Sequence, residues 1–193
     1  MTVLETRPVR SDDLDGLARL FATQRSTRHC WCIAFCVPRT QFSLGWLTGA
    51  NRRTFAGLAA RSEHPMGVLA TAEGQPVGWA AAGPRSRYAV AAGATNSPLR
   101  HRDRAEDEAV WLVPCVFVRA GHRGQGVSHA LVRAAVALAG GEGAAAIEGW
   151  PLVSAARRPA EAFLGREEVF TAAGFRRAGP ATGDRVLMRF ALS

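Results

Sequence analysis

Apolar and polar residues alternate from Thr2 to Val9, predicting a first strand that closes at Pro8 and the polar residues behind it. Ser11 stands where a helix N-cap would, ahead of two acids, and Leu14, Leu17 and Phe21 recur at helical spacing. No clear period runs from 23 to 50, so that stretch reads as irregular. A second helical pattern opens at Asn51 and continues through Phe55, Leu58 and Ala59 to about Ser62. Met66–Thr71 and Val77–Ala82 are predicted as strands, joined in a hairpin at Glu73-Gly74-Gln75-Pro76. The polar residues 84–108 read as a long loop with partial helix. Val110–Val118 is almost unbroken in apolar residues, the pattern of a central strand buried on both faces.

A glycine-rich turn, Gly121–Gly126, follows that strand. Val127, Ala130, Leu131, Ala134 and Leu138 then mark a long amphipathic helix that stops at Gly140-Gly141. Ala144–Val153 is expected as a strand, Arg166–Ala173 as a short helix stopped by Gly174, and Val186–Leu192 as a last strand. The predicted order is β-α-α-β-β-β-α-β-α-β, an α/β chain with a mixed sheet and helices on its faces. With 193 residues, no repeat and no low-complexity linker, a single domain over 1–193 is expected.

Composition narrows the function classes. Apolar residues at 48% and charged residues at 21% fit a packed core. The apolar run 109–118 is about half a membrane span, and Glu5 and Arg7 interrupt the place of a signal peptide, so a cytoplasmic protein without membrane contact is expected. The formal charge of +8 comes entirely from arginine and favours an anionic partner. The arginines are scattered and there is one tyrosine, so no stacking platform for nucleic acid is visible and no nucleic-acid partner is expected.

The chemistry concentrates in Val116-Phe117-Val118-Arg119-Ala120-Gly121-His122-Arg123-Gly124-Gln125-Gly126-Val127-Ser128. A helix N-terminus carries unpaired N–H groups and a partial positive charge, and glycines let a phosphate approach its backbone. On these residues alone the segment is either a phosphate cradle or a plain glycine turn. A Walker A loop is excluded because no lysine follows the glycines. A dinucleotide fingerprint fits poorly, since His129 stands where its third glycine belongs.

Arg123-Gly124-Gln125-Gly126-Val127-Ser128 resembles the [RQ]-x-x-G-x-[GA] signature of the GCN5-related N-acetyltransferases, with serine at the last position. Pro76-Val77-Gly78-Trp79 is similar to that family's third strand, and Val169–Phe175 to its late helix end. The resemblance implies a single-domain fold with a mostly antiparallel sheet, a splayed parallel strand pair and helices on both faces. It divides the chain into an acceptor side, about 11–108, and an acetyl-CoA core, about 109–175. It also implies acetyl-CoA as donor, held by Val116, Phe117, Val118 and Arg123–Ser128, with the Val116 amide polarising the thioester carbonyl. The amine acceptor, a small molecule or a peptide, would attack directly, and a homodimer is compatible with the family. The alternative is a degenerate member that binds acyl-CoA as a sensor or interaction module.

Two family positions are changed. Leu112 stands where many members carry a glutamate base, and Phe170 where many carry a tyrosine acid. The carboxylates that remain in range are Glu148, in the expected fifth strand, and Glu108, just before the fourth. Glu148 reads either as a buried base or as a side chain on a solvated face; Glu108 reads either as a water-relay base or as part of the solvated run Glu106–Glu108. Trp31, Phe35, Trp46 and Tyr88 would suit an apolar amine, and the acidic run would draw a cation. His29, Cys30, Cys32 and Cys36 could ligate zinc, but C-x-C-x-x-x-C is not a standard knuckle. Free cysteines lining the acceptor pocket are expected instead, and no metal.

Overall fold

The structure, a computed structural model, describes residues 3–153 and 161–192. Thr2, the expected start of the first strand, lies outside them. Among the described residues seven strands form one sheet: β1 Leu4–Val9, β2 Gly67–Ala72, β3 Gln75–Pro84, β4 Val110–Val118, β5 Ala146–Gly149, β6 Arg176–Thr182 and β7 Arg185–Ala191. Their order is β1-β2-β3-β4-β5-β7-β6. Every neighbouring pair is antiparallel except β4 and β5, which run parallel from Val110↔Ala146 to Val113↔Gly149. The expected mixed sheet with one parallel pair is therefore present.

The helices are α1 Leu14–Ala22, α2 Arg25–Arg28, α3 Arg39–Thr48, α4 Asn51–Arg61, α5 Ala89–Ala92, α6 Val127–Gly141 and α7 Glu167–Ala172. On one face of the sheet, α6 buries Val127, Leu131, Val132, Ala135 and Ala139 among Val68, Ala80, Val113 and Val116. On the other, Leu17 and Phe21 of α1 and Phe55 of α4 pack with Trp79, Cys115 and Phe117. β4 is central and buried, in keeping with its apolar run.

Several expectations are corrected. Residues 23–50, read as irregular, contain α2, α3 and a 3₁₀ turn at Ile33–Phe35; Leu44 and Leu47 face solvent, which blurs the apolar period of α3. Arg10 rather than Ser11 precedes the first helical turn, and Ser11–Asp13 form a 3₁₀ segment ahead of α1. The expected strand Ala144–Val153 is cut to Ala146–Gly149, because the chain leaves β4 at Trp150-Pro151. β6 was missed: it is an edge strand exposed along its length, with Pro180 inside it and a register shift between Arg177 and Ala181. An edge position is where a strand tolerates proline. Among the described residues no helix is long and apolar enough to cross a membrane.

Candidate functional site: a cleft where two parallel strands part

The site begins where the β4–β5 ladder ends. Past Val113↔Gly149 the two strands separate. β4 carries a register shift opposite Ala81–Gly83, so an extra residue falls at Val113-Pro114 and re-aims the rest of the strand. Trp150 marks the other edge of the opening, and its indole Nε1–H donates to Pro114 O at 3.2 Å.

The alternation of hydrogen bonds beyond the bulge decides what β4 offers to the opening. Arg119 N–H donates to Val77 O at 2.9 Å. In an antiparallel ladder every second residue turns its amide to the same neighbour, so Phe117 and Cys115 also face β3 while Val116 and Val118 face the opening. Arg123 Nε donates to Val118 O from that side at 3.3 Å. The result is a strand edge with alternate backbone groups available to an extended ligand.

A cleft of 310 Å³ lies along this edge. Val116, Val118, Val127 and the turn residues His122, Arg123, Gly124 and Ser128 form one side and the end. Phe163, Gly165, Arg166 and Val169 form the other. Gly126 is the N-cap of α6 with φ 80°, and Gly124 has φ 75°, both in the region that favours glycine. A Cβ at either would meet nothing within 4 Å, so the space before the helix N-terminus is open. Among the described residues no side chain caps that terminus, and Val127 and Ser128 of its first turn line the cleft. Gly78 sets the helix in place: a Cβ there would lie 2.7 Å from Val127 and 2.9 Å from Leu131, so the bare backbone lets α6 dock closely on β3.

Of the expected cofactor residues, Val116, Val118, Arg123, Gly124, Val127 and Ser128 line the cleft, and Gly126 caps the helix at its mouth. Gln125 braces the turn instead, donating from Nε2 to Gly121 O at 3.1 Å. Phe117 turns to the opposite face of the sheet and packs on Phe21 and Phe163. The far wall, Phe163 to Val169, was not foreseen. Its signal was the short β5 ended by Trp150-Pro151, which forces a later segment to fill the gap beside β4.

Neither expected base stands free in the cleft. Glu108 is exposed just before β4, eight residues from Val116 and about 25 Å along the strand at the usual rise, beyond reach even through one water. Glu148 is 2% exposed and registers with Leu112. Its Oε2 accepts from Arg85 at 3.1 Å and its Oε1 from Arg189 at 3.0 Å. Each oxygen thus holds a guanidinium, and a proton placed on either would displace a charge-assisted bond. The acidic run is likewise spoken for: Asp107 pairs with Arg85 at 3.1 Å and with Arg102 at 2.7 Å, and Glu106 pairs with Arg189 at 3.3 Å. Three acids, Glu106, Asp107 and Glu148, and three arginines, Arg85, Arg102 and Arg189, pair in one network around the buried Arg85–Glu148 contact, pinning residues 84–108 over the first half of β4 and β5. Phe170 is fully buried, with its ring against Gly149, where a Cβ would lie 2.2 Å from it.

A second cavity, of 680 Å³, lies beyond the far wall. Consecutive residues reach both spaces, since Gly165 lines the first and Leu164 the second. Phe35, Phe42 and Trp150 supply aromatic surface, and Arg39, Asp184 and Arg185 supply charge. Trp31 and Tyr88, expected in an acceptor pocket, are buried in the core, while Trp46 packs on His29 and Phe42.

The cysteines also differ from expectation. Cys32 and Cys115 are buried among Phe21, Trp79 and Phe117, and none of the four cysteines lines the second cavity. Burial pushes the thiols of Cys30 and Cys36 up to about 12, so they stay protonated near neutral pH. Among the described residues no group of three or more His, Cys, Asp or Glu side chains is placed to hold a metal ion.

A model of the acetyltransferase (GNAT) family matches residues 18–166, most of the chain and all of the strand–turn–helix unit. The chain belongs to the GNAT family. Solved structures agree on the fold. An aminoglycoside acetyltransferase, AAC(6')-Ib, in complex with coenzyme A is 18% identical with a TM-score of 0.57, covering 98% of this chain and 95% of that one. A GNAT acetyltransferase from Streptococcus pneumoniae is 13% identical with a TM-score of 0.57, covering 99% and 100%. The PaiA N-acetyltransferase from Thermoplasma acidophilum, in complex with coenzyme A, is 10% identical with a TM-score of 0.55, covering 98% and 99%. A comparison with curated proteins gave no match. Within the GNAT family this chain is a single-domain α/β member.

Proposed function

We propose that the protein is an acetyl-CoA-dependent N-acetyltransferase acting on a primary amine. The observation that carries this reading is the outward backbone of Val116 and Val118, set beside an uncapped helix N-terminus at Gly126. These fit the two halves of the donor: an amide-rich arm that can pair with a strand edge, and a pyrophosphate that suits oriented N–H groups. Arg123 and His122 add positive charge at the same mouth. The donor supplies an activated acyl thioester.

The chain's own residues then have separate tasks. The Val116 amide, facing the opening, would donate to the carbonyl oxygen as negative charge builds there. The bulge at Val113-Pro114, held by the Trp150 indole, fixes that amide's direction. The second cavity, lined by Phe35, Phe42 and Leu164 beside the same wall, would receive the amine. Buried Phe170 carries no dissociable proton, so protonation of the departing thiolate falls to water or to the amine's own proton. Glu148 acts as a positioning residue that locks residues 84–108 onto the sheet.

Incubating the protein with acetyl-CoA and pools of amines, with detection of free thiol, tests the proposal. The expected result is thiol release that requires one pool and yields an acetylated amine. Tight acetyl-CoA binding without release for any amine would replace the transferase reading with that of an acyl-CoA sensor.

A further inference from the structure

Two glycines flank the point where β4 and β5 part. Gly149 is the last β5 residue in register with β4, and Gly165 lines the far wall of the cleft. Bare backbone at both places would deepen the cleft, but one side chain takes the space beside each. A Cβ on Gly149 would sit 2.2 Å from Cε1 of Phe170, and a Cβ on Gly165 would sit 2.9 Å from its Cε2. These are opposite edges of one ring, so the ring spans from the end of β5 to the cleft wall. Phe170 is fully buried and lines no surface of the cleft. It fills the volume behind the wall.

The ring is held from behind. It stands on α7, Phe175 packs against it with centroids 5.1 Å apart and planes at 80°, and Phe175 rests in turn on Phe190 at 5.8 Å. The same Cβ position on Gly165 is 3.7 Å from Val116 Cγ2, so the stopped end of the cleft lies beside Val116. Building on the transferase reading, in which the Val116 amide holds the thioester carbonyl, we infer that Phe170 sets the length of acyl chain the protein accepts. An acyl group held at Val116 ends against the wall that the ring backs. Each added methylene must displace a packed ring or the backbone over it, and overpacking of that kind is unfavourable. Without the ring, an apolar space opens among Val116, Val169 and Phe175 of the same cluster, a lining that suits methylenes.

The test measures equilibrium binding of coenzyme A and of its acetyl, propionyl, butyryl and hexanoyl thioesters, with no amine present so that no transfer intervenes. In the wild-type protein acetyl-CoA should bind about as tightly as coenzyme A, and butyryl-CoA and hexanoyl-CoA at least about tenfold more weakly. Phe170→Leu should narrow that gap to about threefold, and Phe170→Ala should close or reverse it while coenzyme A itself stays within about threefold. A gain in affinity for the longer chains is the decisive readout, because a side chain that only supports the fold would weaken every thioester alike. Losing a buried ring is destabilising, so Phe170→Leu decides the matter if Phe170→Ala does not melt cooperatively. Hexanoyl-CoA bound by wild type as tightly as acetyl-CoA, or an unchanged order in folded Phe170→Leu, overturns the inference and leaves the transferase reading standing. No binding of coenzyme A or acetyl-CoA up to about 1 mM overturns both.

Discussion

At the scale of single residues, Glu148 shows how burial can mislead. A lone glutamate in an apolar strand looks like a base with a perturbed proton, yet its function depends on what faces it. Here two arginines do, and they come from sequence positions 63 and 41 residues away. No local pattern announces such a pairing. Removing one member of a buried ion pair typically costs about 3–5 kcal/mol. Glu148→Gln should therefore lower the melting temperature by several degrees and loosen residues 84–108 to proteolysis. Its activity should fall without a change in the shape of the pH–rate profile, whereas loss of a general base would alter that profile. The thiols give a second prediction. With Cys30 and Cys36 protonated to about pH 12, alkylation by iodoacetamide at pH 8 should be much slower in the folded protein than in the same chain in denaturant.

Among the elements, those with strong periodicity were legible: β4, α6, α4 and the β2–β3 hairpin form close to their expected bounds. The hairpin turn was expected over residues 73–76; it is the two residues Glu73 and Gly74, both at positive φ. The glycine turn was legible as a turn, and Gly124 and Gly126 take the positive φ that glycine favours. The elements that escaped are those whose stability comes from partners. β6 has no buried face, α3 turns Leu44 and Leu47 outward, and β5 is short because the sheet opens at Trp150. The lining of the second cavity was illegible for the same reason, being assembled from five separate stretches of chain. The docking of α6 yields a prediction at this scale. Gly78→Val would drive methyl groups into Val127 and Leu131, at a cost of about 1–3 kcal/mol, and would push the helix N-terminus off its line. Acetyl-CoA affinity should fall about tenfold or more, while Gly141→Ala, at the far end of the helix where a Cβ meets nothing within 4 Å, should leave it nearly unchanged.

At the scale of the molecule, the sheet is a rigid frame opened at one point. Two hydrophobic layers hold β4 in place, its first half is pinned by three acid–arginine sets, and its second half is left to ligands. Global stability should carry the mark of the buried thiols. Cys30 and Cys36 are raised from 9.0 to about 12 in the fold, so above pH 9 the unfolded chain gives up protons that the folded chain keeps. Their contribution is complete below pH 9 and is lost progressively as the pH rises toward 12. Denaturant midpoints measured from pH 8 to pH 11 should decline, and replacing both cysteines by alanine should flatten that decline.

The central claim is that acetyl-CoA binds along Val116–Val118 with its pyrophosphate at the N-terminus of α6. Calorimetric titration of acetyl-CoA into the wild-type protein and into Gly126→Glu tests it most directly, because the substitution places a carboxylate and a Cβ at the helix mouth where φ is 80°. The account predicts one site per chain, bound more tightly than about 1 mM in the wild type and undetectable in the variant, with both proteins melting cooperatively. Wild-type protein that releases no heat up to that concentration, or a folded variant that binds as tightly as wild type, would contradict it.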